Sequence, residues 1–139
     1  MAAEENKAIA RRYIEEVWGK GDVAAERELL APNFVDRHPV PGFPDNREGH
    51  HQTLVMFRNA FPDLRMSLEF LVAEGDKVVD HWTARATHQG DLMGMPATGK
   101  QITITGSDVL RIENGKIAEI WHEEDMLGMM QQLGAVPAM

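Results

Sequence analysis

Acids and imidazoles crowd the last third of the sequence: Asp108, then His122, Glu123, Glu124 and Asp125, set in segments whose other residues read as core strands. An ionised carboxylate removed from water is costly unless it is paired, so strands carrying this many either keep one face wet or line a polar cavity. A cavity is the arrangement expected. Asp36 and His38 add a second acid–imidazole pair, two residues apart and therefore on one face of a short strand. In a dry hollow, desolvation raises a carboxyl pKa and a neighbouring carboxylate raises it further. One of Asp36, Asp108 and Asp125 can then stay protonated near neutral pH. An aspartate beside a histidine supplies a base and its orienter, so the chemistry within reach is general acid–base catalysis.

These groups need elements to position them. Ile9, Ala10, Tyr13, Ile14, Val17 and Trp18 recur at helical spacing, with Arg11, Arg12, Glu15 and Glu16 opposite, so an amphipathic helix runs until Gly19 and Gly21 end it. Asp22 starts a second helix, Val23 to Leu30, which Pro32 terminates. Asn33 to His38 reads as a short strand and PVPGFPDN as a proline-fixed loop. Arg47 to Phe61 reads as a third helix that buries Leu54, Phe57 and Phe61. Four strands follow: Leu64 to Ala73, Lys77 to His88, Lys100 to Ile112 and Lys116 to Glu124. The short turns EGD and Asn114-Gly115 make them an antiparallel meander, with the long loop Gln89 to Gly99 between the middle pair. A last helical turn or two covers Met126 to Leu133. Helices first and strands later predict one α+β domain over residues 1–139, with the N-terminal helices on one face of a curved antiparallel sheet.

The register of the last hairpin decides which side chains meet. With a two-residue Asn114-Gly115 turn and regular pairing, Asp108 faces Trp121, Gly106 faces Glu123 and Ile104 faces Asp125. Asp108, Trp121, Glu123 and Asp125 then share a face, and His122 lies on the other. A bulge beside the turn exchanges the faces and brings His122 inward. Both registers are open to the sequence.

Composition narrows the function classes. Hydrophobic residues at 43% and charged residues at 26% suit a globular chain, and no apolar run approaches the roughly 20 residues of a membrane span. The start, MAAEENKAIARR, is charged where a signal peptide has an apolar centre, so a cytoplasmic protein is expected. A net charge of -8 without a Lys/Arg cluster argues against nucleic acid. Zero cysteines remove disulfides, thiolate nucleophiles and cysteine zinc sites together. The histidines lack HxH or HExxH spacing, so no metal is expected, and Gly94 to Gln101 precedes a strand where a phosphate loop would need a helix.

NKAIARRYIEEVWGKGD, FVDRHP, FRNAFPDLR, EGDKVVDHWTARATHQGDLMGMPATGK and GKIAEIWHEEDMLGMMQQLG together resemble the SnoaL-like ester cyclases over nearly the whole chain. These are small polyketide cyclases of the nuclear transport factor 2-like, or cystatin-like, α+β cone superfamily. The resemblance implies a cone with an internal pocket, helices on the concave face of its sheet, no cofactor, and a homodimer or homotetramer packed through the sheets. It implies a hydrophobic polyketide-like or other carbonyl substrate, closed by an intramolecular aldol reaction. Asp125, in a WxxxD arrangement, or His122, directly after the tryptophan, then serves as acid/base, with Asp36, His38 and Asp108 orienting or polarising. The same scaffold suits an isomerase or an epoxide hydrolase, and, in a different class, a noncatalytic small-molecule-binding dimer.

Structural roles compete for several of these residues. Asp125, just before Met126, can equally cap the last helix, and Asp36 and His38 can make a loop-edge hydrogen bond before Pro39. Phe34, Trp82, His88, Met93 and Trp121 are the candidates for contact with substrate, although a tryptophan can as well plug the core. His50 and His51, near a helix start, are expected in solvent, and His81 is expected to point away from Trp82.

Overall fold

The buried stripe of the first helical segment holds Ala10, Tyr13, Ile14 and Val17, as their spacing requires. The computed structural model, which describes residues 2–137, shows that this segment changes geometry midway. Helix α1 (Ala2–Arg12) runs into a π-helical turn, Tyr13–Trp18. A π turn closes i to i+5 hydrogen bonds and so takes in an extra residue. Tyr13 and Trp18, five residues apart, both reach the cavity described below.

Helix α2 (Val23–Leu29) is capped by Asp22, whose side chain accepts the N–H of Ala25 at 3.1 Å. It stops one residue sooner than its sequence predicts, and strand β1 (Leu30–Asp36) starts at once, with Pro32 inside it. The pairing explains why. β1 runs parallel to β5 (Lys116–Glu124), with Leu30 opposite Ile117 but Val35 opposite Glu119, so the intervening stretch is irregular. Pro32 lies in that stretch on a sheet edge, where a missing N–H breaks no ladder. Helix α3 (Arg47–Ala60) is capped by Asn46, which accepts the N–H of Gly49 at 3.1 Å.

Strands β2 (Arg65–Glu74), β3 (Lys77–Thr87) and β4 (Gln101–Glu113) complete the sheet, ordered β1-β5-β4-β3-β2. β2 to β5 form the expected antiparallel meander. β1 adds in parallel at one edge, so the sheet is mixed and not closed. Helix α4 (Met126–Leu133) lies against β4, where Gln132 brackets Thr103 by accepting its N–H at 2.8 Å and donating to its carbonyl at 2.9 Å. Between the helices and the sheet sits one apolar core that includes Ile14, Leu54, Val78, Leu110 and Ile117.

Asn114 and Gly115 both have positive φ, 52° and 75°, the conformation of a type I′ hairpin turn. Glu113 pairs with Lys116 and Ile112 with Ile117, after which the register shifts and Arg111 pairs with Glu119. The small, buried Ala118 is the extra residue of this bulge. Regular pairing, which would set Asp108 opposite Trp121, is overturned; Asp108 stands opposite His122, and Trp121 opposite Val109. Among the described residues, no helix is long and apolar enough to cross a membrane.

Candidate active site

The bulge aligns a row of polar residues across three strands. Asp80 of β3 pairs with Asp108 of β4, and Asp108 with His122 of β5. Two residues further along, Trp82 pairs with Gly106, and Gly106 with Glu124. Same-face neighbours in a sheet are two residues apart, so both rows look toward the helices. Gly106 leaves room for the Trp82 ring: a Cβ at position 106 would lie 2.2 Å from that ring. The indole therefore lies across the sheet and donates its Nε1–H to Asp108 at 3.1 Å. It also stacks on the His122 imidazole, with centroids 6.1 Å apart and planes 15° apart.

His122 sits between two carboxylates. Its Nδ1 is 2.5 Å from Asp108 Oδ1 and its Nε2 is 3.0 Å from Glu124 Oε1. Burial alone would lower the imidazole pKa, but hydrogen bonds and charge from Asp108 and Glu124 outweigh it and hold the pKa well above the ordinary 6.5. For Asp108, burial would raise the pKa, yet the His122 imidazole and the Trp82 N–H more than offset it and keep the carboxyl below its usual range. Asp80 is fully buried, and its Oδ1 accepts the backbone N–H of Asp108 at 3.1 Å. Burial, then the charge of Asp108, push Asp80 up to about 10, so it is neutral where its neighbour is ionised.

Trp82, Asp108, His122 and Glu124 floor a cavity of about 330 Å³ between sheet and helices. That is the lower end of the range that holds drug-sized ligands. Ala84, Ile102, Ile104 and Ile120 supply its apolar sheet wall, and Phe57, Phe61 and Trp18 face them from the helices. Tyr13, His50 and Thr53 are polar groups of the helical wall, with Tyr13 Oη 2.8 Å from His50 Nε2. His50 also bonds Glu26 through Nδ1.

Of the candidates read from the sequence, Asp36, His38, Asp108, His122, Trp82 and Met93 line this cavity. The parallel pairing of β1 brings the first two there, since the strand ends beside the same end of β5. Asp36 Oδ1 accepts the His38 N–H at 2.8 Å, and His38 Nδ1 lies 2.7 Å from the His122 carbonyl oxygen. The other four lie outside the lining. Asp125 caps α4, accepting the N–H of Gly128 at 2.8 Å. Phe34 is buried behind the lining, edge-on to His50 with centroids 5.7 Å apart. His88 is buried against Phe61 and bonds Thr98 at 3.0 Å. Trp121 stands on the opposite face of β5 from His122.

Tyr13, His50 and Glu26 join the site without having been singled out by the sequence, and Glu124, noted only as one of the crowded acids, joins it through His122. His50 is only 3% exposed, not solvated. The signal was its spacing: His50, Leu54, Phe57 and Phe61 fall on one helical stripe. Among the described residues, no three His, Asp or Glu side chains are grouped to hold a metal ion.

The sequence matches the family described as SnoaL-like polyketide cyclase over residues 8–133. It is 30% identical over 131 residues to aklanonic acid methyl ester cyclase DauD of Streptomyces sp. (strain C5), covering 91% of this chain and 80% of that protein. Identity to the aklanonic acid methyl ester cyclase DnrD of Streptomyces peucetius is also 30%, over 91% of this chain and 88% of that one. Among solved structures, TsrD from Streptomyces laurentii superposes with a TM-score of 0.86 at 28% identity, over 96% of this chain and 97% of its own. Wild-type IdmH from Streptomyces antibioticus does so with 0.81 at 31% identity, over 93% and 98%. With the match running through every strand and helix that forms the cavity, the chain belongs to the SnoaL-like polyketide cyclase family.

Proposed function

We propose that the protein is a polyketide-cyclase-type enzyme that closes a ring by intramolecular aldol addition, with His122 as its base and Asp108 as the orienter of that base. The observation that carries this reading is the Asp108–His122 pair, 2.5 Å apart on the floor of a largely apolar cavity. Neutral His122 takes a proton from a carbon between two carbonyls. The enolate carbon attacks a ketone carbon of the same molecule, and the displaced π pair settles on the ketone oxygen, which then takes up a proton. The imidazolium left behind lies between Asp108 and Glu124, two charges already in place to stabilise it. The cavity walls hold the reacting carbons near one another, which supplies much of the rate. Asp36 and His38 stand at the same end of β5 and hydrogen-bond the substrate's polar edge, while Trp82 and Met93 contact its flat face.

Cyclisation assays with aklanonic acid methyl ester and a panel of other polyketide β-keto esters test the proposal. Wild-type protein turns at least one over, and His122→Asn and Asp108→Asn each lower kcat by about 10²–10⁴-fold. Quenching of tryptophan fluorescence shows that the variants still bind. Full turnover in His122→Asn overturns the assignment, and wild-type binding with no turnover of any compound makes the protein a binder. The same reading includes a homodimer or homotetramer, supported by Phe70 and Val72, 52% and 56% exposed on β2.

A further inference from the structure

The cavity has a second polar wall, and its groups continue outward. Tyr13 of the π turn, Glu26 of α2 and His50 of α3 meet where the three segments pack, and each is 3% exposed. Tyr13 Oη lies 2.8 Å from His50 Nε2, and His50 Nδ1 bonds Glu26 Oε2. The other oxygen of Glu26 lies 2.9 Å from Nδ1 of His51, a partly exposed residue. Glu26 and His51 line a separate hollow of about 220 Å³ that shares no residue with the first. One hydrogen-bonded string thus leads from the reaction cavity through the helical layer to a different part of the surface. Burying a carboxylate and an imidazole there gains little stability over apolar packing, which points to a task.

We propose that Tyr13 is a second catalytic residue, the acid that protonates the attacked carbonyl oxygen, and that His50 and Glu26 are the positioning residues that make it one. This rests on the cyclase reading above.

Burial would raise the Glu26 pKa, but the imidazoles of His50 and His51 outweigh it and lower the pKa, so the carboxylate is ionised and accepts Nδ1–H from both. Nε2 of His50 is thereby the nitrogen turned to Tyr13. The Glu26 carboxylate fixes the His50 ring through Nδ1, and Nε2, 2.8 Å away, holds Tyr13 Oη in place at the cavity wall. Burial, then the charge of Asp108 across the cavity, hold the Tyr13 pKa well above 10.0, so the phenol keeps its proton until a stronger acceptor forms. That acceptor is the developing alkoxide. As the C–C bond forms, the alkoxide oxygen takes the Tyr13 proton and leaves a phenolate. Once product has left, water entering the cavity returns a proton to Tyr13, and His122 releases to solvent the proton it took from carbon. One proton enters and one leaves per turnover.

Tyr13 is the sole tyrosine of the chain, so 13Cζ-tyrosine labelling reports this hydroxyl alone. Relative to ligand-free wild-type protein, the resonance is expected to move in Glu26→Gln and in His50→Gln, and in the wild type to move when aklanonic acid methyl ester is added. In turnover, Tyr13→Phe is expected to lower kcat by about 10²-fold with KM within a few-fold of wild type. Glu26→Gln loses less, and Glu26→Asp regains part of that loss, which a purely structural role would not produce. A Tyr13→Phe enzyme that keeps its kcat overturns the proposal. So does a resonance that ignores both substitutions, whether or not the protein turns over. If no substrate is cyclised while the resonance responds to the bound ester, the cyclase reading fails and the wired hydroxyl remains.

Discussion

His122 is held by Asp108 on one ring nitrogen and by Glu124 on the other, and the two contacts have different consequences. In the proposed reaction Asp108 sets the tautomer, so its loss is expected to remove the base. Glu124 adds mainly charge, so its loss tunes the base. A group acting as a base works once deprotonated, and kcat/KM therefore rises as pH climbs through the pKa of His122 in the free enzyme. That pKa is held well above 6.5. Glu124→Gln removes one of the carboxylates that raise it, so the acidic limb of the kcat/KM profile is expected to move to lower pH. The variant then outperforms wild type on the acid side. A limb that stays in place, or moves up, contradicts the assignment of His122 as base. Stability carries the same sign: the contribution of the raised imidazole is fully present below pH 6.5 and is lost as pH climbs through the folded value. Much of this was legible from residue types alone, because Asp108 among apolar strand residues needs a partner. Asp125 was not decidable, since a cap and an acid/base group use the same carboxylate, and only the backbone of α4 distinguishes them.

Two small residues tune the strands beneath this chemistry. Ala118 carries the bulge that turns His122 inward, and Gly106 opens the slot in which Trp82 reaches Asp108. Gly106→Ala places a methyl group 2.2 Å from Cζ2 of Trp82, so the ring must move and its hydrogen bond to Asp108 is lost. A destabilisation of about 1–3 kcal/mol is expected, read as a lowered Tm, together with a change in tryptophan emission and weaker activity. Unchanged emission with native Tm would show that Trp82 has no need of the slot. Strand existence and the turn at Asn114-Gly115 followed from alternation and turn chemistry. The bulge did not, because the regular register turns Trp121 inward and the bulged one His122, and the residue types alone do not choose between them. The early onset of β1 was hidden for a similar reason: Pro32 reads as a stop signal until its edge position is known.

As a whole, the protein is an open mixed sheet whose helices cover, beside the core, a hollow of about 330 Å³. Ligand binding to the folded state alone stabilises it, by about 2.7 kcal/mol at a hundred times Kd. A saturating polyketide ligand is expected to raise Tm by roughly 5–10 °C, and the His122→Asn variant, expected to lose turnover, should show a similar rise. A variant that loses both the shift and turnover would mean that His122 anchors the ligand instead of acting on it. Sequence pattern gave the α+β class and the meander, but which helical side chains reach the hollow depended on a change of helical pitch that hydrophobic spacing does not report.

That change of pitch has a genetic corollary. Between Tyr13 and Trp18 the chain carries one amino acid more than a uniform α-helix would need to cover the same length. Excising a single codon, at Glu15 or Glu16, lets the coil close into ordinary α geometry and swings phenol and indole relative to each other while every remaining side chain keeps its identity. Relatives that differ by one residue here can therefore shape their substrates differently with an otherwise identical inventory of groups.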